Sequence, residues 1–261
     1  LTMRSSEISA FGKVKLPPLP GTAVESESLK NTAGSLGWTT STFIGQDATE
    51  KQIRSVHNVG ILHLATHGFY LQSQPSMQES TRAIHVEGTD ANVTPPIKQE
   101  EPINPMRAGG IALAGAQATF KSWKEGVTPD PENDGILTAE EVATLDLEGT
   151  WLVSLSACET GVGEARSGEG VFGLRRAFMM AGAQNLLMTL WPVNDSTTTG
   201  IMADFYKKCL ATESPAQALA ETQRDWLCKL KQEKGLLAAV ADAGALVMTS
   251  PGIKTTNFPK E

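Results

Sequence analysis

Two positions place a reactive side chain at the end of an apolar run. Val59-Gly60-Ile61-Leu62-His63-Leu64-Ala65-Thr66 is followed by His67-Gly68, and Trp151-Leu152-Val153-Ser154-Leu155-Ser156-Ala157 is followed by Cys158-Glu159. Both runs have the length and continuous apolarity of strands buried on two faces. In open parallel sheets, binding and catalytic groups collect beyond the carboxyl ends of strands. If the two strands are neighbours, His67 and Cys158 face one another above one sheet edge. A thiolate is a nucleophile, and an imidazole within hydrogen-bond reach can activate it. Gly68 would let its backbone approach a substrate carbonyl, and its N–H with that of Cys158 would form an oxyanion hole. Spacing alone leaves plainer alternatives open. A cysteine at a strand end also serves as a small packed hydrophobe, and a histidine there as a satisfied loop or core residue. His63 shares a nominal strand face with His67 and could support it, though a buried structural histidine is the simpler reading.

The rest of the composition narrows the chemistry. The chain has three cysteines, Cys158, Cys209 and Cys228, and four histidines, His57, His63, His67 and His85. An odd cysteine count without regular spacing is neither a disulfide framework nor a zinc pattern, and it suits a reducing compartment. No metal and no cofactor is expected. Net charge is −7, from 22 Lys+Arg against 29 Asp+Glu, which argues against direct nucleic-acid binding. No run approaches the roughly 20 apolar residues that span a bilayer, and the first residues hold no signal-peptide core. With 261 residues the chain can bury a sizeable core. It opens on Leu1, not Met, and reads as part of a longer protein.

The elements that must position the two residues alternate between helix and strand. Residues 1–20 form an entry segment ending in Leu16-Pro17-Pro18-Leu19-Pro20, extended and not helical. A helix is expected over 21–36, with Val24, Leu29 and Leu36 inward. A Thr-rich strand is expected over 38–44, and a helix capped by Asp47 and Glu50 to about 56. Residues 71–105 carry five of the 14 prolines and read as a Pro-rich surface insertion. A short strand over 110–116 and a loop over 123–135 follow. Thr138 with Glu141 makes a capping box for a helix to about 145. A helix over 170–181 ends at Gly182, and a strand over 185–190 stops at Trp191-Pro192. Helices are expected over 196–210 and, capped by Ser214 with Pro215, over 214–230. A last strand over 243–248 precedes a tail, 251–261, that reads as disordered. Alternation of this kind predicts an α/β fold, a three-layer α/β/α sandwich around a mostly parallel sheet. Nucleotide binding is not expected, because residues 163–170 lack the Lys-Ser/Thr of a phosphate loop.

Several phrases together resemble the CHAT family of caspase-like cysteine proteases, from the clan of caspases, separases and gingipains. They are Ile61-Leu62-His63-Leu64-Ala65-Thr66-His67-Gly68, Gly110-Ile111-Ala112-Leu113-Ala114-Gly115-Ala116, and Asp134-Gly135-Ile136-Leu137-Thr138-Ala139-Glu140-Glu141-Val142. The most telling are Leu155-Ser156-Ala157-Cys158-Glu159-Thr160-Gly161 and the run from Gly168-Glu169-Gly170-Val171 to Ala183. Leu190-Trp191-Pro192-Val193-Asn194-Asp195 completes the set, and Leu19-Pro20-Gly21-Thr22 fits the entry to the domain. The resemblance covers about 20 to 250 and implies one caspase-like peptidase domain over 21–250. It implies His67 as the acid–base residue and Cys158 as the nucleophile of a cysteine endopeptidase acting through an acyl-enzyme.

The resemblance also implies a context. The separases carry a phrase like the one ending in Asp195, whose acid pairs with a basic residue before the cut. By that analogy Asp195 lines the specificity pocket; the alternative is that it caps the helix that follows. Glu159 and Glu169 could bias the pocket towards cations, or be solvated loop and helix-start acids. In this family the domain commonly follows tetratricopeptide-type helical repeats that regulate it. Members act in bacterial signalling and defence, including cleavage of gasdermin-like pore formers. The implied partners are a protein substrate and an N-terminal repeat region or activator, with no membrane, in a bacterial cytoplasm. The alternative function is a catalytically silent caspase-like interaction module. The insertion at 71–105 could gate the site, the plainer reading being a tolerated loop.

Overall fold

The computed structural model describes residues 16–70, 105–127, 133–156, 169–190 and 195–250. Among them, the strands in chain order are β1 (Ile61–Ala65), β2 (His67–Tyr70), β3 (Gly109–Ala112), β4 (Ile136–Thr138), β5 (Leu152–Ser156), β6 (Leu186–Thr189) and β7 (Leu246–Thr249). The helices are α1 (Pro20–Ser35), α2 (Glu50–Arg54), α3 (Pro105–Ala108), α4 (Ala116–Lys124), α5 (Ala139–Val142), α6 (Glu169–Met180), α7 (Asp195–Thr212), α8 (Pro215–Lys234) and α9 (Leu236–Ala243). The main sheet has the order β1-β5-β6-β7. Its β1–β5 and β5–β6 pairs are parallel, and β7 joins antiparallel.

Side chains alternate across a strand, so each strand feeds two cores. Val153, Leu155, Leu186 and Met188 point into one, with Val142 of α5 and Leu174, Ala177 and Phe178 of α6. Leu152, Leu187 and Leu246 point into the other, with Phe205, Tyr206 and Cys209 of α7 and residues of α8 and α9. Helices therefore cover both faces, giving the three-layer α/β/α sandwich that the alternation of elements predicts. Each fully buried aliphatic side chain contributes roughly 1.5–3 kcal/mol. The two central strands thus outweigh any one polar contact. No helix among the described residues is long and apolar enough to cross a membrane.

A second sheet, β2-β3-β4, is antiparallel. The apolar run does not close as a loop at His67. The chain bends at Thr66, whose hydroxyl donates to the Ala112 carbonyl, and His67 begins β2 opposite Ala112. The expected strand over 110–116 is β3, which ends at Ala112; Ala116 already starts α4.

Other expectations need correction. No strand forms over 38–44; Phe43 and Ile44 are exposed among the described residues. Asp47 lies in a single 3₁₀ turn, and Thr49 caps α2, accepting from Gln52 N–H at 3.3 Å. Pro20 is the first residue of α1, where its missing N–H costs nothing. The inward residue on α1 is Glu25, while Val24 and Leu36 face solvent. Ser214 precedes α8 without a side-chain cap bond. Residues 236–243, not assigned from the sequence, form α9 and delay the last strand to Leu246. The insertion over 71–104 and the tail over 251–261 lie outside the described residues.

The Asp134–Val142 phrase ties the two sheets' shared core to α2. Thr138 and Glu141 form the expected capping box, with Thr138 N–H and Oγ1 donating to Glu141 at 2.9 and 2.8 Å. Glu50, fully buried, accepts from Gly135 N–H at 2.7 Å. Arg54 spans Glu50 and Glu141, each at 3.2 Å. Burial pushes the Glu50 carboxyl up, against the pull of the Gly135 N–H and Arg54. Asp134 accepts from Ile136 N–H at 2.8 Å and is pushed up to about 7, first by burial, then by the Glu50 and Glu141 charges.

Two outcomes are expected. Gly135 has φ +79, and a Cβ there would lie 2.3 Å from Ala116 N. Gly135→Ala should cost at least about 2 kcal/mol in urea denaturation, from the left-handed backbone plus a backbone clash. The raised carboxyl of Asp134 means that the folded chain keeps a proton the unfolded chain has released. Its contribution is full below pH ~3.8 and is lost as pH rises through about 7. Urea midpoints measured from pH 4 to 7 should therefore fall more steeply for the wild type than for Asp134→Asn. Equal slopes would show that Asp134 does not carry this dependence.

Candidate active site at the ends of β1 and β5

β1 and β5 are neighbours, parallel, with Ala65 opposite Ser156. His67 follows Ala65 by two residues. Its side chain is buried, and its Nε2 lies 2.6 Å from the Pro17 carbonyl oxygen. A carbonyl only accepts, so this contact requires the proton on Nε2 and leaves Nδ1 with its lone pair. Gly68, the second residue of β2, stands opposite Ile111 in the antiparallel ladder. Cys158 and Glu159 lie outside the described residues. Asp195 is the first residue of α7. Glu169 likewise opens α6.

His63 does not share His67's surroundings. The bend at Thr66 breaks the alternation, and the two rings serve different sheets. His63 Nδ1 lies 3.0 Å from the Tyr206 hydroxyl, and Nε2 lies 3.1 Å from Glu25 Oε1. The Nε2–Oε1 approach falls outside hydrogen-bond geometry, so Nδ1 meets the Tyr206 hydroxyl while Nε2 has only this close contact with the Glu25 carboxylate among the described residues. Burial pushes the Tyr206 phenol far above its ordinary range, which keeps it a donor. His63 is thus the buried structural histidine of the simpler reading.

Two contributors have no counterpart in the sequence reading. The Pro17 carbonyl is main chain, and no residue pattern marks it. Glu25 was detectable in principle. It lies four residues before Leu29, hence on the same helix face as the residue taken to point inward. Glu25 Oε2 also accepts from the Ser156 hydroxyl at 3.3 Å, at the last residue of β5. Among the described residues, no group of three or more His, Cys, Asp or Glu side chains is arranged to hold a metal ion.

The other two cysteines separate cleanly. Cys209 is fully buried on α7, and burial pushes its thiol up to about 12. Cys228 on α8 is exposed, so only one of the two is a packing residue. Iodoacetamide at pH 8 followed by mass mapping should therefore modify Cys228 within minutes and spare Cys209 until urea unfolds the chain. Labelling of native Cys209 at a comparable rate would contradict this burial.

Comparison with known proteins fits these features. The CHAT domain family model matches residues 3–242, nearly the whole chain. Tetratricopeptide repeat protein 28 of Homo sapiens is 33% identical over 94 residues, which is 36% of this chain. The chain spans only 4% of that protein's length. With an α/β/α sandwich, the expected phrases in order and this match, the chain belongs to the CHAT domain family, a caspase-like family related to proteases.

Proposed function

We propose that this domain is a cysteine endopeptidase with His67 and Cys158 as its dyad. The observation that carries the reading is the register of the two parallel strands. Ala65 is opposite Ser156, and His67 and Cys158 each follow two residues later. Two peptide units reach at most about 7 Å, and that short reach from paired residues supports a common site at this end of the sheet. The Pro17 contact adds a direction, since it commits Nε2 and leaves Nδ1 to exchange the proton.

The reaction follows from these roles. The Cys158 thiol gives its proton to His67 Nδ1, its sulfur attacks the scissile carbonyl carbon, and the carbonyl π electrons move onto oxygen. The N–H groups of Gly68 and Cys158 hold that oxyanion. On collapse the C–N bond breaks and protonated His67 gives its Nδ1 proton to the leaving amine. Water then attacks the thioester, His67 taking its proton at Nδ1, and the acid leaves with the thiolate restored. Asp195 and Glu159 are assigned to the substrate pocket. The substrate is a protein, gasdermin-like or another effector. The tetratricopeptide repeats in the relative's name support regulation by an N-terminal repeat region. The setting is cytoplasmic signalling or defence proteolysis.

A peptide-library digest tests the proposal. The wild-type chain should cleave a defined subset, and both Cys158→Ala and His67→Ala should fall by about three orders of magnitude. Cleavage unchanged by Cys158→Ala, or no cleavage in the presence of the repeat region, would favour the silent interaction module.

A further inference from the structure

We infer that Glu25 is a positioning residue: by fastening α1 to the ends of β1 and β5, it places the Pro17 carbonyl that holds the His67 ring. The inference rests on the proposed role of His67.

The first observation is how α1 is seated. Its one fully buried side chain is Glu25, 2% exposed. Leu29 is only partly buried, and Val24 and Leu36 are 62% and 51% exposed. α1 packs on α7 and β1, yet it brings little apolar surface to that contact. An isolated polar helix gains little from propensity, so its seat must come from tertiary contacts. Here the central contact is a buried carboxylate.

The second observation is what that carboxylate holds. Oε1 lies 3.1 Å from His63 Nε2 on β1, and Oε2 accepts from Ser156 on β5. These are the two strands that lead to His67 and Cys158. Neither Oε1 nor His63 Nε2 makes a hydrogen bond among the described residues, so the two meet as a close contact. A buried polar contact of this kind contributes little net stability compared with apolar packing of the same volume. What it does contribute is direction, because a carboxylate with two fixed partners admits one placement of the helix.

The third observation is the stiffness between Glu25 and Pro17. Pro17, Pro18 and Pro20 fix three φ angles in four residues. Thr22 ties the join, its N–H and hydroxyl donating to the Leu19 carbonyl at 3.2 and 2.7 Å. A displacement of α1 therefore carries Pro17 with it. Beyond Pro17, Leu16 N–H donates to Gln117 Oε1 at 3.2 Å, an exposed contact that leaves α1 as the main anchor.

The test uses the full chain with Glu25→Ala, Glu25→Gln and Pro18→Gly, and Leu230→Ala as a core truncation remote from the site. Turnover is measured per active site titrated with a thiol-reactive peptide probe, and the His67 Nε2–H proton is followed by nitrogen-15-edited NMR. Glu25→Ala should lower kcat per titrated site about 10-fold or more with KM within about twofold, the scale expected for a displaced reacting group. Its His67 Nε2–H resonance should lose the downfield position of the Pro17 hydrogen bond. Glu25→Gln, which keeps an acceptor of the same length, should recover most of both. Leu230→Ala should lower the titrated fraction but not kcat per site. Pro18→Gly leaves every buried contact intact and should reproduce Glu25→Ala, so the test stands even if that variant fails to fold. Wild-type turnover per site with an unchanged resonance in Pro18→Gly or Glu25→Ala overturns the inference. If the wild type shows no Cys158-dependent turnover, the protease reading fails, and the resonance alone decides whether Glu25 positions the ring.

Discussion

The parallel pairing of β1 with β5 is the contact on which the rest of the structure depends. It joins residues about ninety positions apart in the chain, and it sets Ala65 opposite Ser156. Parallel neighbours need a long crossover, so neither strand can find the other locally. The pairing is stabilised by the faces it creates. Val153 and Leu155 enter one core and Leu152 the other, all buried. A slip of one residue would turn every one of these side chains to the wrong layer. The register that juxtaposes the two strand ends is therefore enforced by apolar packing well below them.

Above that packed region the chemistry of the contacts changes. The ends of β1 and β5 are held by Glu25, His63, Tyr206 and Ser156, and the small second sheet by Glu50, Arg54, Asp134 and Glu141. Buried polar networks of this kind cost desolvation and return direction. The division is physically sensible. Apolar burial is strong but does not orient a ring, whereas a carboxylate or carbonyl with one fixed partner does. His67 shows the result: its Nε2 is committed to a main-chain oxygen, and its tautomer follows from that contact alone.

Much of the fold was legible because the signals are local. β5 and β6 read as apolar runs of strand length, α6 as a stripe of Leu174, Phe178 and Ala181, and α5 as a capping box. The errors share a cause. Residues 38–44 have strand-like composition but form no strand, and β propensity without a packed face decides little. The run through Thr66 reads as one strand and is two, because a side-chain hydroxyl turns it onto a partner far along the chain. On α1 the expectation of apolar residues inward holds for Leu29, which packs partly buried on the second core, and fails for Val24 and Leu36, since the fully buried group there is a carboxylate beside β1.

The sequence by itself determined the class of fold and the family. Each of these resides in short contiguous phrases, where residue type and spacing suffice. Only the tertiary structure decided that β1 and β5 are neighbours in this register, that His63 serves Glu25 and Tyr206 and not the site, and that the His67 ring is held by Pro17. The physical reason is that these are choices of partner across long stretches of chain. A backbone carbonyl looks alike at every residue, and a buried carboxylate reveals its role only beside the groups it meets.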